Sequence, residues 1–303
     1  MNWINAFEIL CYVITAVLLW DIIRKKSWKE LRLFLSAALA GFILELLAVR
    51  VTGIYHYSPE FYISIGFAPY QFSFFGGLMW GGLTVCSLRI SQKLGMSRLM
   101  TAFVTGWLIV SMDVLLDVAA IRLSGGFWVW EGREITLDIT HHMFMSVIWV
   151  NFLGYLFETP AVAYLTLKSW DKNNGSIGRK ALTTIGIGLA GVAIVGAASG
   201  IALGLNALTD EWFACIAFLL LWGYILVRLI LQIVSKRSEL TFKGRKDWTA
   251  IIFWAAMYGY CLAALLSLEI LQAVPWYGIL AVLLTVGTLL LGAISVQDKG
   301  TTS

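Results

Sequence analysis

The chain has too few charged residues for a soluble globular domain. Only 13% of its 303 residues are Asp, Glu, Lys or Arg, whereas soluble domains carry about 25%. Hydrophobic residues make up 59%, and the mean hydropathy is +0.81. The basic residues behind the net charge of +4 lie in short loops between apolar runs, where membrane topology accounts for them. The composition indicates an integral membrane protein surrounded by lipid, and it gives no reason to expect a nucleic-acid partner.

The chain also lacks the motifs of disulfide-rich, zinc-binding and secreted proteins. Its four cysteines lie in apolar runs without CxxC spacing, so we expect buried free thiols. The first apolar run has no basic residue before it and is followed by Arg24, Lys25 and Lys26, the reverse of a secretory signal. We therefore expect a retained helix. An HEXXH motif, a second DXXXD motif and an internal repeat are all missing from the sequence.

Nine apolar stretches are long enough to cross a membrane as helices, which predicts an all-α, polytopic transmembrane bundle of about nine helices. Alternate loops then place every basic residue on one side except Arg50, Arg122 and Arg133. By the positive-inside rule we expect the N-terminus outside and the C-terminus inside. The membrane is expected to be the cytoplasmic membrane of a prokaryote. The nine stretches are residues 3–23, 31–49, 67–90, 97–121, 142–167, 180–205, 211–235, 248–271 and 275–296.

A polar seam, KSWDKNNGSIGRK, divides this single membrane domain into two halves. Residues 1–168 are predicted to form a five-helix catalytic half that contains the polar cluster. Residues 169–303 are predicted to form a four-helix scaffold half. In the sixth stretch Gly196, Gly200 and Gly204 recur every four residues, which predicts the close approach of another helix.

Two carboxyl groups lie inside the fourth apolar stretch. Asp113 and Asp117 are four residues apart and therefore share one helical face at membrane depth. A charge at the bilayer centre costs about 3 kcal/mol or more, so such residues usually face a protein interior and bind something or do chemistry. Glu45 of the second stretch, Tyr70 of the third and Asn151 of the fifth are predicted to face the same cluster.

Three hypotheses explain this cluster. In the first, its polar groups pair with one another and only fix helix packing. In the second, Asp113 and Asp117 bind a divalent metal together with Asp138, His141 and His142. In the third, a protonated carboxylic acid in apolar surroundings protonates a carbon–carbon double bond, which requires aromatic faces for the carbocation and a nearby base. Tryptophans available for such a lining are Trp80, Trp107, Trp128, Trp130 and Trp149.

Short aromatic motifs lie before and after these acids along the sequence. Glu45 is followed by TGIYHY, then by the helix of Asp113 and Asp117, then by GFWVWEG and NFLGY. This order, over residues 41–156, resembles the membrane carotenoid hydratase family that includes gamma-carotene 1'-hydroxylase and bisanhydrobacterioruberin hydratase. The chain departs from the family pattern at Val118, where a proline is expected, and in the long stretch with a His pair between GFWVWEG and NFLGY.

The resemblance implies a hydro-lyase that adds water to a terminal isoprenoid double bond of a carotenoid or similar lipid, without a redox cofactor. It implies Asp113 or Asp117 as proton donor, with Glu45 or Asn151 positioning water. No cofactor is expected unless the His and Asp residues hold a divalent metal. The candidate substrate-binding residues are Tyr55, Tyr57, Tyr70, Trp80, Trp128, Trp130 and Trp149.

Two other classes of protein stay open. An intramembrane Mg-dependent prenyltransferase, or another enzyme of isoprenoid lipids, would also carry aspartates on helices. Against it, only one DXXXD occurs, and the predicted topology puts this motif on the outer side. A transporter or ion-binding protein would use Asp113, Asp117 and His142 as a proton or cation relay. Against this class, the sequence indicates neither inverted repeats nor broken helices.

Overall fold

Long helices make up most of the described part of the chain, which comprises residues 2–52, 55–130, 134–171 and 175–296 of this computed structural model. Each of the nine predicted stretches contains one long helix, so the all-α class is confirmed. A short π-helical turn, Ala48–Thr52, extends the second helix. The helices are α1 (Trp3–Arg24), α2 (Trp28–Leu47), α3 (Phe74–Gln92), α4 (Arg98–Ala120), α5 (Trp149–Trp170), α6 (Ile177–Leu208), α7 (Trp212–Ser235), α8 (Trp248–Ser267), α9 (Ile270–Ala273) and α10 (Pro275–Ala293).

Seven helices of the described residues are long and apolar enough to cross a membrane, namely α1, α2, α4, α6, α7, α8 and α10. The chain is therefore an integral, multi-pass membrane protein. The two long helices outside this set are α3, which contains four glycines and an arginine, and α5, which contains Asn151, Glu158 and Pro160. Helix α3 is almost completely buried, so its small and polar residues contact protein rather than lipid.

Close packing of α2 on α3 forms the centre of the bundle. A Cβ atom added to Gly81 would lie 2.8 Å from the Phe34 carbonyl oxygen of α2, so only glycine allows the two helices to approach this closely. Helix α5 packs between α4 and α6, and α8 packs against both α1 and α4. The predicted catalytic and scaffold halves are therefore in extensive contact.

The glycine stripe of α6 does not mediate helix packing. A Cβ atom added to Gly196, Gly200 or Gly204 would have no neighbouring heavy atom within 4 Å among the described residues. The prediction of a close helix contact at these positions is wrong. The close approach occurs nearer the start of α6, where a Cβ on Gly188 would lie 2.8 Å from a backbone carbonyl of α2 and one on Gly191 would overlap a valine methyl of α5.

Two short antiparallel hairpins lie partly within stretches that hydropathy assigned to helices. Helix α3 begins at Phe74 rather than residue 67, and α5 begins at Trp149 rather than residue 142. Apolar residues of these loops extend the hydropathy signal, although their backbone pairs as strands instead. The strand pairs are β1 (Tyr55–Tyr57) with β4 (Trp128–Trp130), β2 (Ser64–Ile65) with β3 (Phe72–Ser73), β5 (Met143–Phe144) with β6 (Val147–Ile148), and β7 (Leu240–Thr241) with β8 (Ser295–Val296).

Candidate active site

A cavity of about 70 Å³ lies between α2, α3, α4 and α5. The four residues predicted to carry the chemistry, Glu45, Asp113, Asp117 and Asn151, all line it. The β1 and β4 strands, α1 and α8 contribute the rest of the wall. A cavity of this size with several polar groups can hold water molecules but not a lipid tail. We call it the acid cavity.

One face of α4 lines the acid cavity. Its lining residues on this helix are Ile109, Met112, Asp113, Leu116 and Asp117. Their spacing of three, four, seven and eight residues from the first is that of side chains on one side of an α-helix. Both carboxyl groups therefore face the cavity because of the helical period alone.

Glu45 is held by two tyrosines of the β1 strand. The Tyr55 and Tyr57 hydroxyls donate hydrogen bonds of 2.6 and 2.7 Å to the same Glu45 oxygen, Oε2. Alternate residues of a strand point to the same side, which is why both tyrosines reach one carboxyl group and His56 between them does not. Burial, with the added effect of the nearby Glu45 charge, raises the pKa of both tyrosines well above the usual value, so both stay hydrogen-bond donors.

The two aspartates of α4 differ in their hydrogen bonding. Asn151 Nδ2 donates a hydrogen bond of 2.7 Å to Asp117 Oδ2, and Asp117 is buried. Asp113 Oδ2 is also buried but has no hydrogen-bond partner among the described residues. The lining contains no Lys, Arg or His among the described residues. Three carboxyl groups thus share a small cavity, and none of the described lining residues is a cation.

Aromatic rings cover the acid cavity. Trp80 and Tyr155 pack edge to face with ring centroids 4.7 Å apart. Trp128 of β4 packs edge to face on Tyr57 of β1 at 5.9 Å, and these two residues are direct partners in the strand pair. A Cβ atom added to Gly41 of α2 would overlap the Trp80 ring, so this glycine makes room for the indole. The described parts of the TGIYHY and GFWVWEG motifs therefore meet over the acids.

Three of the predicted substrate-binding residues have other positions. Tyr70 is exposed in the loop before α3, and its predicted place on that helix is wrong because the helix begins later. Trp149 lines a different cavity and donates a hydrogen bond of 2.8 Å to the Thr140 carbonyl. Trp130 pairs through its backbone with Tyr55, but its side chain lies outside the described part of the structure.

The three candidate metal ligands are not part of the acid cavity. Asp138 is exposed on the loop before α5. His142 Nδ1 lies 2.9 Å from Glu211 Oε2, and the His141 ring stacks on Trp212 with centroids 4.5 Å apart. These contacts join that loop to the turn between α6 and α7. Within the described ranges, no group of three or more His, Cys, Asp and Glu side chains is placed to hold a metal ion.

Two larger apolar spaces flank this region. A groove of about 420 Å³ between α2, α5 and α6, which we call the lateral groove, shares Tyr55, Asn151 and Tyr155 with the acid cavity. A second space of about 690 Å³ lies between α4, α5, α7 and α10 and shares no lining residue with the acid cavity. Of these two spaces, the lateral groove is the one that shares lining residues with the acid cavity.

Sequence reasoning did not identify several lining residues. Gly76 and Met79 share the cavity face of α3 with Trp80, so the helical period could have found them. Phe7 of α1 and Met257 of α8 also line the cavity. These two residues carry no local signal, because only the packing of distant helices brings them to the acids.

No family model, curated protein or solved structure matches the chain. The fold and the site define its class by themselves. It is an integral, multi-pass membrane protein with a buried, aromatic-lined cavity that contains three carboxyl groups.

Proposed function

We propose that the protein is an intramembrane hydro-lyase that adds water to a terminal isoprenoid double bond of a carotenoid or similar lipid. The observation that carries the proposal is the acid cavity, where three carboxyl groups, aromatic faces and room for water coincide without a lining cation among the described residues. Acid-catalysed hydration needs these components and no others. The order of motifs also resembles that of the carotenoid hydratases, and several of its residues are those that line the cavity.

Asp113 is the proton donor in this proposal. Three carboxyl groups in one apolar cavity cannot all be ionised without a counter-charge. Two phenolic donors stabilise the charge of Glu45, and the Asn151 amide stabilises that of Asp117. Asp113 Oδ2 has no such donor, so this carboxyl is the best place for a proton. A neutral carboxylic acid in an apolar site is a competent Brønsted acid.

The reaction balances without a redox partner. The Asp113 proton forms a C–H bond at the less substituted alkene carbon while the π bond breaks. The resulting tertiary cation faces the Trp80 and Tyr155 rings, which stabilise it through their negative faces. Water positioned by Asn151 forms the C–O bond, and Asp117 accepts the proton that this water loses. Proton transfer from Asp117 to Asp113 through a second water restores the starting state.

The proposed topology has nine membrane spans, with the N-terminus outside and the C-terminus inside the cytoplasmic membrane of a prokaryote. The two additional spans are α3 and α5, which lie among the seven apolar helices. Under this topology the acid cavity lies in the outer half of the bilayer, since Glu45 and Asp117 are close to the outer ends of α2 and α4. The clustering of basic residues in alternate loops supports this orientation.

The rival functions receive less support from the site. A prenyltransferase would need its carboxyl groups to hold Mg²⁺ and a diphosphate, and no group of three or more His, Cys, Asp and Glu side chains among the described residues is placed to hold a metal ion. A relay through Asp113, Asp117 and His142 is not assembled, because His142 pairs with Glu211 and does not line the acid cavity. A chelator should leave a hydratase active, whereas loss of turnover on chelation would favour a metal-dependent enzyme.

The direct test is a product analysis. Bacterial cells that make the acyclic carotenoid lycopene would express the wild type, Asp113→Asn or the control Glu269→Gln, in which the changed residue is exposed and remote from the acid cavity. We expect a product heavier by one water from the wild type and the control, with its oxygen derived from isotope-labelled water, and none from Asp113→Asn. Wild-type turnover by a folded Asp113→Asn protein would overturn the assignment of the acid.

A further inference from the structure

We infer that the lateral groove holds the hydrocarbon tail of the substrate while its terminal double bond reaches the acid cavity. The tail enters the groove laterally from the membrane. This inference rests on the proposed function. It adds the binding position of the tail and the chemical class that fits there, a long, uncharged, linear isoprenoid or polyene chain.

The acid cavity and the lateral groove meet at three residues. Tyr55, Asn151 and Tyr155 line both spaces. Two of them are tied to the chemistry, because Tyr55 donates its hydrogen bond to Glu45 and Asn151 donates to Asp117. A chain that lies in the groove therefore ends at the groups proposed to act on its terminal double bond. The acid cavity is too small to hold the rest of such a substrate, so the tail requires an adjoining space.

The far side of the lateral groove is a lateral surface of the helix bundle. Leu47 of α2, Val51 of the π-helical turn and Leu203 of α6 line the groove, and all three are exposed. Val51 is the most exposed of them, with 73% of its surface accessible. Exposed apolar residues on membrane-crossing helices face lipid. A lipid-soluble chain can therefore reach the groove without passing through water.

The chemistry of the lateral groove selects an uncharged tail. Among the described residues, the polar ones that line it are Ser199 and the three that border the acid cavity. The groove is lined by no Lys, Arg, Asp or Glu within the described ranges, so a phosphate or carboxylate head group would be buried without a partner. Its volume of about 420 Å³ lies in the range of about 300–1,000 Å³ typical of ligand sites.

The glycines of α6 account for the depth of the groove. Gly196 and Gly200 line it, and nothing in the described structure lies within 4 Å of the position of a Cβ atom on either. Gly204, one turn later, has the same open surroundings but does not line the groove. The stripe therefore offers two positions where a new side chain fills the groove and one matched position where it does not.

The test compares a long and a short substrate. We expect Gly196→Leu and Gly200→Leu to lower kcat/KM for lycopene by about tenfold or more, because excluding only a few methylene groups from an apolar site has an effect of that size. Turnover of citronellol, a short isoprenoid with the same terminal double bond, should change by less than about twofold. Gly204→Leu should leave both unchanged. Wild-type lycopene turnover in both groove variants would overturn the inference.

A binding measurement distinguishes an error in the tail-binding role of the lateral groove from an error in the proposed hydratase activity. In the Asp117→Asn background, bound lycopene would be measured through the absorbance of the purified protein after reconstitution in vesicles. Lycopene binding that is reduced by Gly196→Leu but not by Gly204→Leu supports the groove even if the wild type hydrates neither substrate. Loss of lycopene binding with Cys215→Trp, which fills the larger space beside α7, would instead place the tail there and overturn the inference.

Discussion

The two tyrosines on Glu45 show how single residues set the state of the site. Their hydroxyls converge on one carboxylate oxygen, and hydrogen bonds of this kind stabilise a carboxylate charge. In the proposed mechanism they therefore leave the proton of the cavity for Asp113. Asn151 has the same effect on Asp117 through its amide. The division of roles proposed for these three chemically similar acids therefore depends on their neighbours.

Tyr57→Phe removes one of the two donors to Glu45 while keeping the ring in place. A hydrogen bond to a charged group is worth about 1.5–3 kcal/mol, so we expect kcat for lycopene hydration to fall by about tenfold to a hundredfold. The control is Tyr62→Phe, because Tyr62 is exposed and does not line the acid cavity. Equal kinetics of the two variants would show that the phenol does not act on Glu45.

Residues whose roles depend on helical spacing could be predicted from the sequence. Asp113 and Asp117 were expected on one face because they are four apart, and Asn151 was expected at their depth; the structure joins Asn151 directly to Asp117. The contact of Tyr57 with Glu45 could not be derived in this way. It requires β1 to pair with β4 from another loop, and the chain contains no local signal for that pairing.

At the scale of helices, a buried ion cluster joins the end of α3 to three neighbours. Arg89 donates two hydrogen bonds of 2.8 Å to Glu30 of α2 and one of 2.9 Å to Asp21 of α1, and it lies 3.5 Å from Asp247, the residue that precedes α8. The Arg89 side chain is only 8% exposed. A single guanidinium therefore fixes the mutual positions of four helices.

Arg89→Met should strongly destabilise the protein. The substitution leaves Glu30 and Asp247 without their guanidinium partner, although Asp21 keeps Lys25 and Arg24. Removing one partner of a buried ion pair costs about 3–5 kcal/mol in the free energy of unfolding. The measurement is the Tm in detergent, which we expect to fall. Arg24→Met is the matched control, since Arg24 contacts the same Asp21 but its side chain is 66% exposed; exposed pairs contribute about 0–1 kcal/mol. A similar Tm for both variants would contradict the role of the cluster.

A second prediction concerns the packing of α6. Gly191→Leu would force a side chain into a valine of α5, and overpacking of this kind costs about 1–3 kcal/mol. We expect a lower Tm for Gly191→Leu and an unchanged Tm for Gly204→Leu, which adds the same side chain to the same helix in open space. Equal stability of the two variants would place the α5–α6 contact elsewhere.

At the scale of the whole molecule, the nine long helices could be predicted because apolar runs of this length have few alternatives in a membrane. Their ends were predicted less well at α3 and α5, where aromatic loop residues continue the apolar pattern before the helix begins. The helix that contacts each glycine was not predictable, since a small residue permits close packing without specifying a partner.

The orientation of the chain can be tested by labelling of single cysteines. In a protein without its four native cysteines, Tyr70→Cys should react with a membrane-impermeant maleimide added to intact cells, because Tyr70 is exposed in a loop proposed to be outside. Ser238→Cys, in the turn between α7 and α8, should react only after the membrane is opened. The reverse pattern would invert the proposed topology and move the acid cavity to the cytoplasmic half.

The composition of α3 affects its insertion into the membrane during synthesis. With four glycines and a buried arginine, this helix has little tendency to leave the translocon for lipid by itself. Its favourable surroundings exist only once α2 and α4 are present to cover it. We therefore expect α3 to insert poorly into the bilayer in a nascent chain that ends directly after it. Insertion of α3 should become stable once α4 has been synthesised. Assembly of the acid cavity would then be a late event, because Asn151 and Tyr155 of α5 and Met257 of α8 also line it.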